Sequence, residues 1–195
     1  MSNYTADVAI VDQLWLELAN AYTAPGRYYH TLTHLENMYA ALAPHLQLLQ
    51  NKDAVLFALF WHDAVYDVLR PDNEEQSAEL ATKCLQLLNV PAATVSSCAQ
   101  VILATKDHKA GGKSDTDLFT DADLSILGAP WDKYEDYAAN VRQEYSVYPD
   151  ALYNPGRKKV LTHFLGMERI FKTAQFYDIY ETAARENIAR EIALL

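Results

Sequence analysis

The chain is short of the residues that staple, span or punctuate a fold. Two cysteines in 195 residues, Cys84 and Cys98, match no ligand spacing and are too few for a disulfide framework. The N-terminus lacks the basic, apolar and small-residue order of a signal peptide, so both thiols read as reduced and the protein as cytoplasmic. Six glycines and seven prolines, with no low-complexity run, exclude a disordered or fibrous chain. The longest apolar run, Ala54 to Trp61, is far too short to span a bilayer, so no membrane partner is expected. Basic residues are also scarce, 16 Lys and Arg against 26 Asp and Glu, for a net charge of −10. That balance argues against a surface that wraps a nucleic-acid polymer or anionic lipid, and leaves room for a small anion held by a local basic cluster or a bound cation. No internal repeat is present, and no stretch alternates in polarity over strand length between hairpin turns.

What remains is an ordinary globular composition, half of it hydrophobic. Its length suits one domain, 1–195, that buries roughly 70% of the surface of the unfolded chain. Helical periodicity dominates. Val8, Val11, Leu14, Trp15, Leu18 and Tyr22 recur at three- and four-residue spacings before Pro25-Gly26. Leu35, Met38, Tyr39 and Leu42 form a second stripe before Pro44, and His30 and His34 share its face if that helix already includes His30. Asp53 is expected to cap the apolar run, and Asn73 to cap a helix with Glu74 and Glu75 in its first turn. Pro91 starts another helix, the loop Ala110 to Ser114 is the expected flexible point, and Asp117 to Gly128 is a short helix. A helix over Trp131 to Val147 follows. Asn154-Pro155-Gly156 is expected to break the chain before Arg157 to Met167, and a last helix covers about Tyr177 to Leu194. The expected fold class is all-α.

The stretch Phe60-Trp61-His62-Asp63-Ala64-Val65-Tyr66-Asp67 organises the rest. The run before it is apolar on every face, so an adjacent His-Asp pair at its end needs partners, because buried ionisable groups are costly unless paired or metal-bound. His34, His62, Asp63 and Asp123, each group on a different helix, offer imidazole nitrogens and carboxylate oxygens suited to a divalent ion. The plain alternative is a helix-end histidine bonded to a carboxylate.

In this order, His34, His62-Asp63 and Asp123 resemble the H…HD…D signature of the HD superfamily of metal-dependent phosphohydrolases. The resemblance extends along nearly the whole chain: Arg27-Tyr28-Tyr29-His30 with His34, Trp61 to Asp67, Asn73-Glu74-Glu75 with Ser77-Ala78, Asp121-Ala122-Asp123-Leu124, and Ala184-Arg185-Glu186-Asn187. Together these are similar to a group of small bacterial proteins described as predicted HD-type phosphohydrolases. The resemblance implies an HD-domain-like bundle of about eight to nine helices. It implies one divalent cation (Mn, Fe, Co, Ni, Zn or Mg) held by His34, His62, Asp63 and Asp123, with His30 an alternative to His34 and Asp121 to Asp123. The longer two-metal signature has further histidines before the last Asp, whereas only His108 lies there.

The activity implied is hydrolysis of a small phosphorylated metabolite, such as a nucleotide, by in-line attack of an acidified water on phosphorus. The other reading is a metal-containing, ligand-binding or regulatory module without turnover; a homo-oligomer is left open. For the chemistry, Asp63, Asp67 and Glu74 are the acidic candidates, and His30, Lys106, His108, Arg142 and Arg157 the candidates for the substrate. Tyr28, Tyr29 and Tyr66 lie near the ligands in sequence, where they could stack on a base or sugar. Each has a plainer reading: Asp67 a cap, Glu74 a dipole-complementing first turn, His108 a solvated loop residue, Arg142 a surface salt bridge. Arg185 with Glu181 reads as a helix pair of a few tenths of a kcal/mol.

Overall fold

The computed structural model describes residues 1, 4–5, 7–108, 112 and 114–195. Of the loop expected at Ala110 to Ser114, residues 110, 111 and 113 lie outside the described residues. The chain is all-α: the described residues form nine α-helices and two short 3-10 segments, without a strand. None of these helices is long and apolar enough to cross a membrane. The chain divides into two compact units, Met1–Thr120 and Asp121–Leu195.

The first unit holds α1 (Val8–Tyr22), α2 (Leu32–Leu42), α3 (Lys52–Trp61), α4 (Asn73–Leu87), α5 (Ala92–Ala104) and most of α6 (Ser114–Asp123). Helix α1 turns Leu14, Leu18 and Tyr22 inward, while Val8 and Trp15, although on the expected stripe, are exposed. Helix α3 is buried all round, through Ala54, Val55, Phe57, Ala58, Leu59 and Trp61. That is what an apolar run without a polar face requires, and it makes α3 a rigid mount.

Helix α3 is capped by Asn51, whose Oδ1 accepts from the Ala54 amide at 3.1 Å, and not by Asp53. Asp53 sits in the first turn instead and accepts from the Tyr4 hydroxyl. The cap is held from outside: the Asp115 carboxylate accepts from the amides of Gln50 (2.8 Å) and Asn51 (2.7 Å), donors a helix start cannot satisfy itself. Helix α4 likewise starts one residue earlier than expected, with Asp72 at the cap and Asn73 inside.

The second unit contains the 3-10 turn Leu124–Gly128, α7 (Trp131–Glu144), α8 (Asp150–Gly166) and α9 (Ala174–Leu194). Helix α9 lies so close to the turn that a Cβ on Gly128 would sit 2.6 Å from Tyr180 Cβ and from its carbonyl oxygen. Asn187 secures the same approach by donating to the carbonyls of Leu127 (2.9 Å) and Ala129 (2.8 Å).

Two expectations fail here. Pro155 does not break the chain, because α8 runs through it from Asp150 to Gly166. The proline falls in the second turn, where its missing N–H removes one bond, to Ala151, just past the donors that lack intrahelical partners anyway. Glu181 with Arg185 is more than a surface pair. Glu181 is buried and accepts from the amides of Ile170 and Phe171 at 3.0–3.2 Å, while Arg185 reaches it at 2.7 Å and donates to the carbonyls of Leu165, Met167 and Glu168. The pair satisfies the backbone of the turn between α8 and α9, where unpaired groups are costly.

Candidate metal centre

Two histidines meet edge to edge in the first unit. Thr31 is the cap residue of α2, so His34 lies in its first turn, 4% exposed; His30 precedes the helix and does not share its face. His62 is the C-terminal cap residue of α3, 1% exposed, delivered by the most buried helix of the unit. The two Nε2 atoms are 3.2 Å apart. Asp63 Oδ2 completes a triangle, 3.0 Å from His62 Nε2 and 3.7 Å from His34 Nε2. Asp123, the last residue of α6, joins them: one ligand atom each from His34, His62 and Asp123 lie within 4.8 Å of one another.

These spacings suit a shared cation. Ligands about 2.1 Å from one ion are separated by about 3.0 Å in an octahedron and about 3.4 Å in a tetrahedron. Tautomers agree with it as well. His62 Nδ1 lies 3.1 Å from the Leu59 carbonyl, which only accepts, so Nδ1 carries the proton and Nε2 presents a lone pair to the centre. Without a cation the facing Nε2 atoms need a proton between them. The Asp63 carboxyl is disfavoured in its charged form by burial, but the charges of His62 and His30, the His62 hydrogen bond and His34 outweigh this and hold it well below the usual carboxylate range. A mixed nitrogen and oxygen donor set of this kind fits a divalent first-row metal.

The surrounding loop is held residue by residue. The Asp63 amide donates to the Tyr22 hydroxyl at 3.3 Å. Ser77, fully buried on α4, accepts from the Val65 amide (3.1 Å) and donates to the Val65 carbonyl (3.2 Å). Arg27 donates to the carbonyls of His30 and Ala64. Rings close the sides: Phe119 stands edge-on to His62 at 5.7 Å, Tyr29 lies 4.9 Å from His34, and His30 lies against Tyr66 at 4.2 Å. Tyr22, Arg27 and Ser77 carried no assigned role in the sequence. Their signals were a place in the apolar stripe of the first helix for Tyr22, and for Arg27 and Ser77 a place in the segments that carry the resemblance, without a role.

The remaining candidates sit as follows. Asp67 is exposed; its Oδ1 accepts from the Leu69 amide at 2.9 Å, a local turn, while Asn73 holds its backbone amide at 3.0 Å. Glu74 lies in the first turn of α4. Lys106 is exposed, donates to the Pro71 carbonyl at 2.8 Å and pairs with Glu75, whose carboxyl is held below its usual range by that hydrogen bond. His108 has a φ of +49°.

In the second unit Arg142 is bound to Asp150 at 2.6 Å and to the carbonyls of Tyr145 and Tyr148. Arg157 reaches Glu191 at 2.7 Å, both 9% exposed, and also contacts the Tyr137 hydroxyl. Lys106, Arg142 and Arg157 thus each have a carboxylate of their own. Asp121, the alternative to Asp123, is fully buried and accepts from the Lys172 amide (2.9 Å) and from the Thr173 amide and hydroxyl (2.8 and 2.7 Å), so its oxygens are spent on the start of α9.

Comparison of the chain with protein-family models, curated proteins and solved structures gives no match.

Proposed function

We propose that the protein is a divalent-metal-dependent phosphohydrolase of the HD type, acting on a small phosphorylated molecule such as a nucleotide. The observation that carries the reading is the convergence of His34 Nε2, His62 Nε2 and Asp63 Oδ2 at 3.0–3.7 Å, with Asp123 supplying a further carboxylate. These four residues would hold the ion. A divalent cation at this donor set supplies Lewis acidity toward a water molecule and a phosphoryl oxygen.

The chain's own contribution is preorganisation. The Leu59 carbonyl holds the His62 Nδ1 proton and so keeps Nε2 aimed at the centre. Asp63 stays ionised among imidazoles, and burial of both rings beside Phe119 and Tyr29 limits competing water. His30, against Tyr66 and electrostatically coupled to Asp63, is the side chain best placed to meet a substrate beside the ligands.

The second reading, a ligand-binding module with the same ion and no turnover, gains from one observation: Lys106, Arg142 and Arg157 are each already paired with a carboxylate. Protein stripped of metal and reloaded with Mn²⁺, Co²⁺ or Ni²⁺ separates the two. Hydrolysis of phosphomonoesters or phosphodiesters that falls to background in Asp63→Asn supports the enzyme. Metal uptake without turnover across a panel of phosphorylated metabolites supports the module, and wild type and Asp63→Asn behaving alike in both respects defeats the metal-site reading.

A further inference from the structure

Arg27 lies between the two segments that deliver the proposed ligands, and it touches both. Its Nη1 donates to the His30 carbonyl at 3.0 Å, four residues before His34. Its Nη2 donates to the Ala64 carbonyl at 3.1 Å, the residue after Asp63. The guanidinium carbon stands 5.0 Å from the Tyr22 ring and 5.3 Å from the Tyr66 ring, within the range at which aromatic faces attract a cation. Those rings belong to the same assembly: the Tyr22 hydroxyl accepts from the Asp63 amide, and Tyr66 packs on His30.

We infer that Arg27 is a positioning residue for the metal centre, a fork that fixes the spacing between the segment carrying His34 and the segment carrying His62 and Asp63. The inference rests on the metal-site reading above. Neither segment is regular where the fork grips it. His30 precedes the first residue of α2, and Ala64 follows the end of α3, so no intrahelical bond constrains either carbonyl. The guanidinium supplies two donors in a fixed plane, with faces left for Tyr22 and Tyr66. A lysine ammonium offers a point charge on a flexible stem and no planar face to stack. The position is set from behind: α1 ends at Tyr22, Gly26 takes a φ of +92°, and the Arg27 amide donates to the Ala24 carbonyl at 3.3 Å, so a tight turn presents the side chain.

The test compares wild type, Arg27→Met and Arg27→Lys as metal-free full-length protein, by Co²⁺ titration followed in the visible spectrum and by hydrogen exchange without metal. The expected result is a loss of Co²⁺ affinity of about 10–100-fold in both variants, the range typical when a residue orienting metal ligands is removed. An altered cobalt band is expected with it, and faster exchange confined to residues 28–34 and 62–67. Wild-type affinity, band and exchange in either variant overturns the inference, as does faster exchange spread equally through α5, which would mark a merely structural residue. If the wild type takes up no Co²⁺, the metal-site reading fails, and the exchange data alone decide whether Arg27 joins the two segments.

Discussion

At the residue scale the decisive atoms are ring nitrogens whose protons are placed by neighbours. His62 illustrates this: a backbone carbonyl one turn earlier accepts the Nδ1 hydrogen bond, which leaves the Nε2 lone pair directed at the centre. Replacing His62 with Gln keeps volume and a polar tip but removes that lone-pair geometry. The variant is expected to lose divalent-metal binding by titration calorimetry; unchanged affinity would remove His62 from the ligand set. Ser77 makes a second residue-scale case. Its hydroxyl serves both backbone groups of Val65, so Ser77→Ala is expected to cost about 1–3 kcal/mol in denaturant unfolding, the penalty for stranding buried polar groups.

The cysteines supply a prediction with the opposite sign, of inertness. Cys98 is fully buried and its thiol is pushed up to about 12 by that burial; Cys84 is raised for the same reason. A thiol becomes nucleophilic only as thiolate, so neither should react with a disulfide reagent at pH 8 until the protein is unfolded. Rapid modification of native protein would contradict the packing around them. The histidines and acids could be picked out from their types and order, since few side chains bind metals. The roles of Tyr22, Arg27 and Ser77 could not be read, although Arg27 and Ser77 lie in segments that carry the resemblance, because each acts on a backbone group of a loop, and loop geometry leaves no periodic trace in sequence.

At the element scale, helices with one apolar stripe or an all-round apolar run were readable, and their ends less so. Asp53 looks like a cap until Asp115, 62 positions on, engages the two amides before it and makes Asn51 the cap. A side chain that distant has no signature near the helix it closes. Pro155 misleads for the opposite reason: local propensity opposes a helix, and packing of Tyr153 and Leu161 on either side of it prevails. Because the helix exists despite the residue, Pro155→Ala should stabilise the protein by about 1–3 kcal/mol, restoring one bond to Ala151 at a small entropic cost in the unfolded chain. Equal or lower stability would mean that the proline fits its turn without strain.

At the scale of the whole molecule, the all-α class followed from period and length, whereas the buried polar hubs did not. Arg157 and Glu191, 34 residues apart, are joined by a bond of 2.7 Å, with the Tyr134 hydroxyl on the same carboxylate at 2.5 Å. Arg157→Met alone leaves Glu191 buried without its countercharge and should cost about 3–5 kcal/mol, while the double change with Glu191→Met should recover most of it. The division of the chain after Thr120 falls inside α6, where neither glycine nor proline marks it.

A net charge of −10 also bears on the centre, because a chain rich in carboxylates gains from a bound cation. A divalent metal at a hundred times its dissociation constant should stabilise the folded state by about 2.7 kcal/mol, reversed by chelator. The metal centre is tested most directly by anomalous diffraction from crystals of the Co²⁺-loaded protein. A single strong peak bonded to His34 Nε2, His62 Nε2, Asp63 and Asp123 is expected. Cobalt bound elsewhere, or the two imidazoles still facing each other at 3.2 Å with no peak between them, would contradict it.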